Sequence, residues 1–362
     1  MEPLIFAGNW GNRKKIAWSG TMPALYEELQ KYYKVERFDI NVRVPFLIPF
    51  RCMEKLGLGR YDMLYMKYYS RIFAKKYSGE QSCRVFQFDE CPNVSWAKSY
   101  IFQDLSVGFL LDVYENQPEL IPYCGLENLS KKYLEKRTKS QNAFYRNVAG
   151  VFTMGQWLAD YLVEQQGMPR EKVHAVGGGV NVDSSKIDDS KKEGNKFLFV
   201  GRDFKRKGGD LVVKAFQIVK ERIPDAELYI AGPSENPIEE ADQIDGIFFL
   251  GEQSAEQVRQ LYNKCDIFCM PSRFEAYGLV FAEALVFGLP CIARNAFAMK
   301  EMIQDGQNGY LIDSDDIEKL AEQMEMALTN KEMQQSVRAE RARYTEKYSW
   351  ESVGKRIEEV IK

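Results

Sequence analysis

Two glutamates eight positions apart, Glu275 and Glu283, stand in the segment 271–283, PSRFEAYGLVFAE, with Gly278 between them. A helical pattern begins at Leu279, so Tyr277, Gly278 and Leu279 open a helix whose first amides lack intrahelical acceptors and suit an anion. A carboxylate cannot hold that anion. Glu275, before the helix start, and Glu283, about a turn inside it, are instead placed to accept hydrogen bonds from hydroxyl groups beside it. A ligand with both phosphate and hydroxyls, such as a nucleotide sugar, has that chemistry. The opposite charge comes from the segment 201–209, GRDFKRKGG, which follows an apolar run at 197–200 and ends at a helix start. This is where an open α/β sheet binds phosphate. Arg202 offers a planar fork and Lys207 a point charge, a pair suited to a diphosphate. Taken alone, the loop also reads as a solvated basic turn.

The elements that position these residues alternate short apolar runs with helical patterns, the mark of parallel sheets with crossover helices. Strands are expected at 4–7, 84–88, 100–103, 150–153 and 173–176, then at 197–200, 227–231, 247–250, 267–270 and 290–293. Helices are expected at 22–33, 126–145, 156–166, 208–222, 255–263, 279–287 and 317–328. A polar, glycine-led stretch at 177–195 reads as a linker. A chain of 362 residues is too long for one ordinary core, so two domains are expected. These are residues 1–176 and 196–349, each doubly wound and Rossmann-like, with 350–362 as a separate amphipathic helix. The net charge of −3 divides into +5 over 1–178 and −8 over 179–362, two halves of opposite character. No strand leads into a GxGxxG helix, which argues against a dinucleotide oxidoreductase.

In order and spacing, Gly201-Arg202 with Lys207-Gly208, Pro271-Ser272 with Glu275 to Glu283, Gly288-Leu289-Pro290 and Gly306-Gln-Asn-Gly309 resemble the C-terminal domain of the family 4 (group 1) glycosyltransferases of GT-B fold. The first half is similar more loosely, through a glycine-containing loop after the first strand and the helix start at 152–159. The resemblance implies two Rossmann-like domains facing a cleft, closing about Gly177 to Gly179, with the closing helix packing back on the first domain. It also implies a retaining transferase of the EC 2.4 class that moves a sugar from a nucleotide-diphosphate donor to a hydroxyl acceptor. By the same resemblance Arg202 and Lys207 hold the diphosphate, Glu283 takes the ribose hydroxyls and Glu275 the hydroxyls of the transferred sugar. Ala276, Tyr277, Gly278 and Leu279 contribute backbone amides, and Gln253 falls where the family meets the base. In the first domain Gly20 and Thr21 match the family's glycine loop; a simple helix cap is the other reading.

The chain departs from the family where many members carry His-Asp at a strand end, for here Gln103 precedes Asp104. The lone histidine, His174, lies in a strand pattern before the linker and reads as core or hinge. Gln103 can still bond a sugar, and Asp104 is a candidate for sugar or acceptor binding, or a strand-end cap. A catalytically silent subunit that binds a nucleotide sugar or a partner enzyme is the alternative.

No cofactor or metal is expected: Asp313-Ser-Asp315-Asp316 has the shape of a DxD site but precedes a helix and reads as capping acids. The seven cysteines form no CxxC pair, and no run approaches membrane-spanning length, so a reduced, cytoplasmic setting is expected. Basic and aromatic residues interleave over 43–76, which suits either peripheral contact with the inner membrane face or an ordinary crossover helix. The acceptor is expected to be lipid-linked, saccharide or protein, in cell-surface glycan or glycoconjugate synthesis. The acidic balance of the whole chain argues against nucleic acid.

Overall fold

The computed structural model describes residues 1–11, 14–40, 48–49, 52–53, 55, 61–79, 83–188, 194–234 and 244–362. Of the basic stretch 43–76, residues 43–47, 50, 51, 54 and 56–60 lie outside these, as do 189–193 of the linker. The chain divides into two compact units: residues 1–115, 129–177 and 350–362 form the first, and 116–128 with 178–349 the second.

In the first unit the elements run β1 (Pro3–Gly8), α1 (Thr21–Leu29), β2 (Lys34–Asp39), α2 (Tyr61–Tyr77), β3 (Arg84–Gln87), β4 (Lys98–Gln103), α3 (Val107–Asn116), α4 (Lys131–Asn147), β5 (Gly150–Thr153), α5 (Gln156–Glu164) and β6 (Val173–Ala175). The strands form one parallel sheet in the order β2-β1-β3-β4-β5-β6. Its core is aromatic because register aligns large rings on one face: Phe6 opposes Phe86, and Phe86 opposes Tyr100. Phe86 and Tyr100 both stack against Phe152, at 5.9 and 5.8 Å between ring centroids. Such pairs add to the burial of apolar area itself.

The second unit continues with β7 (Lys196–Val200), α6 (Gly209–Arg222), β8 (Glu227–Ala231), β9 (Ile247–Gly251), α7 (Ala255–Lys264), β10 (Ile267–Cys269), α8 (Leu279–Val286), β11 (Cys291–Arg294), α9 (Met299–Met302), β12 (Gly309–Ile312), α10 (Ile317–Thr329), α11 (Lys331–Ala339) and α12 (Arg341–Lys347). Its sheet is also parallel, in the order β12-β11-β10-β7-β8-β9. The central strands β7 and β10 lie in the core: Phe197, Leu198, Phe199, Ile267, Phe268 and Cys269 are all fully buried. Ser254 starts α7 with a reciprocal capping box to Gln257. Helix α13 (Trp350–Ile361) belongs to the first unit, burying Val353, Ile357 and Ile361, and its Gly354 lies against Glu28 of α1.

All ten expected strands are present to within a residue or two. The expected helix at 126–145 begins later, at Lys131, where Ser130 accepts from the Tyr133 amide. Strands β2 and β12 and helices α3, α9, α11 and α12 are additions. β2 is an edge strand, KVERFD, whose charged residues suit an unpaired edge and dilute its apolar signal. All seven cysteines are free. Among the described residues no helix is long and apolar enough to cross a membrane.

Gly309 opens β12 where two backbones nearly touch: a Cβ there would lie 1.9 Å from the Cys291 carbonyl oxygen. Gly309→Ala is therefore expected to cost at least about 2 kcal/mol through forced separation of β11 and β12. In urea unfolding the midpoint should fall with the slope unchanged; an unmoved midpoint would show that the strands separate freely.

Candidate functional site

In the second unit the strand order reverses between β7 and β10. An open parallel sheet leaves a crevice at such a switch point, outside the carboxyl ends of the strands. The two loops singled out by their chemistry are the two that follow these strands. The basic loop leaves β7 at Gly201 and ends at Gly208, a left-handed cap for α6. The acidic loop leaves β10 and ends at Gly278, a left-handed cap for α8 (φ +84°). A Cβ at Gly278 would also crowd the Glu275 side chain at 3.1 Å, so glycine lets the acid fold back over the helix start.

The loops are joined directly. Lys207 Nζ lies 3.1 Å from Glu275 Oε2 and both side chains are mostly buried, with 14% and 15% exposed. Arg206 reaches the same oxygen at 3.4 Å and donates to the Phe274 carbonyl at 2.7 Å. The Arg206 carbonyl in turn accepts from the Arg273 amide at 2.9 Å and from Ser272 Oγ at 3.2 Å. Beneath them the Arg273 guanidinium makes a two-point pair with Asp210, at 2.7 and 2.8 Å, while its Nε donates to Asp315 at 2.7 Å. Arg294 also pairs with Asp315. Asp316 caps α10 through the Lys319 amide. Asp313 accepts from Asn295 Nδ2 at 2.9 Å, so the acids of the segment 313–316 are spent on two arginines, an asparagine and a cap.

Glu283 sits lower, on the buried side of α8. Tyr262 Oη donates to its carboxylate at 3.1 Å and the Asn181 backbone amide donates as well. Burial dominates and raises its pKa to about 7, although these two donors and the charge of Lys207 pull the other way. Lys207 therefore stands between both acids, paired with one and electrostatically coupled to the other. Burial also pushes the Tyr262 hydroxyl well above its usual value.

The remaining expected residues are distributed as follows. Arg202 is 76% exposed and turns toward Glu252 at 3.5 Å, away from Glu275. Gln253 bonds its own loop, donating to the Leu250 carbonyl at 2.6 Å. Tyr277 is buried and its hydroxyl accepts from the Gly178 amide at 2.9 Å. Ala276 and Leu279 are half-buried beside Gly278. In the first unit Gln103 is buried at the end of β4, its carbonyl oxygen accepting from Tyr145 Oη. Half-buried Asp104 follows it. Gly20 caps α1 with no side-chain bond, and Thr21 is fully buried. Trp18, Ser19 and Gly20 take successive left-handed conformations (φ 51°, 53° and 90°), a strained turn at the helix start. His174 has its pKa lowered by burial. Arg206, Arg273 and Tyr262 are the residues the spacing argument passed over. The run of basic residues at 202–207 and the acid Asp210 just past Gly208-Gly209 are the signals that could have pointed to the first two.

Because Glu283 holds its proton more tightly when folded, its contribution to stability is fully present below about pH 4.5 and lost as pH rises through about 7. The full effect is on the order of 3 kcal/mol. Glu283→Gln lacks this titration, so the stability of the wild type relative to the variant is expected to fall between about pH 5 and 8 in urea unfolding. Parallel curves would show that the carboxyl is not desolvated.

Residues 182–344 match the family Glycosyl transferases group 1. An uncharacterized glycosyltransferase of Haemophilus influenzae is 30% identical over 151 residues, covering 40% of this chain and 42% of that protein. A phosphatidyl-myo-inositol mannosyltransferase of Mycobacterium leprae is 28% identical over 191 residues, covering 50% and 51%. The chain thus spans about half the length of these curated relatives. Among solved structures, WaaG, a glycosyltransferase involved in lipopolysaccharide biosynthesis, superposes with a TM-score of 0.68 at 18% identity, covering 99% of each chain. At that identity the likeness is one of fold, the GT-B architecture of two parallel α/β units. Over residues 182–344, a little under half of its length, the chain is thus similar to the group 1 glycosyl transferases.

Proposed function

We propose that the chain is a retaining glycosyltransferase that moves a sugar from a nucleotide-diphosphate sugar to a hydroxyl acceptor in the synthesis of a cell-surface glycan or glycoconjugate. The observation that carries this reading is Lys207, held 3.1 Å from Glu275 and coupled to Glu283 at the switch point of the second sheet. A diphosphate competes with Glu275 for Lys207. Once it binds, the cation neutralises the charge that develops on the leaving phosphate, and Glu275 turns to the hydroxyls of the sugar. Glu283 takes the ribose, the amides at 276–279 line the sugar and phosphate, and Gln253 meets the base. Arg202 swings from Glu252 to the phosphate, and Arg206 adds a second cation beside Glu275.

The first unit, with Gly20, Thr21, Gln103 and Asp104, takes the acceptor. Exposed Tyr68 and Ile72 stand one turn apart on α2, with exposed Lys75 and Lys76 on the same helix. This mixture supports peripheral attachment to an inner membrane face. One feature favours the silent-subunit reading: Gln103 already spends its acceptor oxygen on Tyr145. It has no ring nitrogen to offer in place of the family histidine.

Glu275→Ala separates the two readings. If the chain is an enzyme, the variant is expected to lose at least about a hundredfold in sugar transfer or donor hydrolysis, roughly 2.7 kcal/mol of barrier, while still binding nucleoside diphosphate. Near-normal turnover removes Glu275 from the site. Nucleotide-sugar binding by the wild type with no turnover on any acceptor supports the silent subunit.

A further inference from the structure

The first unit has a cavity of about 230 Å³ that the donor chemistry does not use. It lies beside the switch point of that unit's own sheet, where β1 and β3 are neighbours and the strand order reverses. The loop leaving β3 supplies Glu90 and Asn93, one face of α2 supplies Met63, Met66, Lys67 and Arg71, and α4 supplies Ser140.

The floor is a fixed carboxylate. Glu90 is 8% exposed, paired at two points with Arg137 (2.9 Å each), and receives Gln141 Nε2 at 2.9 Å. A carboxylate offers about four lone-pair positions, and three of these are taken, so Glu90 can accept one more bond from a hydroxyl. Arg137 is itself anchored by Asp62 at 3.6 Å. Buried polar groups held this firmly recognise geometry as well as charge. The mouth has the opposite sign. Lys67 and Arg71 stand one helical turn apart and exposed, and neither pairs with a carboxylate among the described residues. Met63 and Met66 give the wall an apolar, adaptable surface suited to the face of a ring.

We infer that this cavity takes an anionic, hydroxylated group of the acceptor, a phosphorylated or carboxylated sugar or polyol, with its anion on Lys67 and Arg71 and a hydroxyl on Glu90. The inference rests on the reading of the first unit as the acceptor side and adds the acceptor's chemical class. An anion with hydroxyls has two sources, a soluble sugar acid or a lipid headgroup.

The test uses the full chain with ¹³C-labelled methionine methyls. Met63 and Met66 report on this cavity, and Met270, whose sulfur lies 3.7 Å from Lys207 Nζ, reports on the donor site. Glucose 6-phosphate, glucuronate and vesicles of phosphatidylglycerol are compared with methyl glucoside and vesicles of phosphatidylcholine. The expected result is a shift of Met63 and Met66 with the anionic probes alone, weakened at least about tenfold in Lys67→Gln/Arg71→Gln. A response to the sugar acids identifies a soluble source, and a response to phosphatidylglycerol a lipid one. Equal shifts with methyl glucoside, an undiminished response in the double variant, or no response to any anionic probe would overturn the inference. Titration of UDP, GDP and ADP against Met270 in the same sample is independent of it. Failure there would instead strike the nucleotide-sugar reading, and a preserved response in the double variant shows that it is folded.

Discussion

The relation between Lys207 and Glu275 depends on a guanidinium that touches neither. The two side chains come from loops that follow different strands, and Arg273 fastens those loops to each other and to the next two. It pairs with Asp210 in the first turn of α6, with Asp315 before α10, and donates to the Lys205 carbonyl inside the basic loop. Arg294, at the end of β11, meets the same Asp315. Two arginines and two aspartates therefore close a neutral circuit along the carboxyl edges of β7, β10, β11 and β12. A buried pair of this kind adds little net stability, since desolvation offsets much of the attraction. Its effect is geometric: with both guanidinium groups largely buried and the charges mutually satisfied, few other arrangements of these loops are stable.

Above that circuit, one residue type does two things because its surroundings differ. Glu275 meets Lys207 and Arg206 at a partly open edge, where a competing anion can take over the cations. Glu283 meets a neutral tyrosine and a backbone amide deep in the helix layer, where desolvation outweighs both bonds. The first acid is exchangeable and the second is not. Their eight-residue separation allows this, because the left-handed turn at Gly278 falls between them and puts one on the loop and the other on the buried face of the helix.

The central strands and the Glu275, Glu283 and Lys207 set were legible in the sequence because continuous apolar runs and fixed spacing are local signals. The edge strands β2 and β12 were not, since an edge needs charge or glycine more than it needs apolar side chains. Which cation of 202–207 faces Glu275 was not legible either. The backbone of a short loop has no period, so Arg202 and Arg206 look equivalent in sequence although only the second turns inward. Arg273 read as a spacer between Ser272 and Phe274, because its partners lie 63 and 42 positions away. Gln103 was placed correctly at a strand end, but its bond to Tyr145 crosses to helix α4. Pairings of that range are set by the assembled sheet.

The second unit is not one continuous stretch of chain. Residues 116–128 belong to it, although they interrupt the first unit, and the ring of Tyr123 from that segment lies 5.3 Å from the Arg273 guanidinium. With α13 returning to the first unit, the backbone passes between the units four times. The segment that matches the family, 182–344, therefore contains the whole Arg273 circuit but not the aromatic face that covers it. Excised at its sequence boundaries, that segment would lose the ring over the largely buried Arg273 guanidinium, so its autonomy as a folding unit is less than its contiguity in sequence suggests.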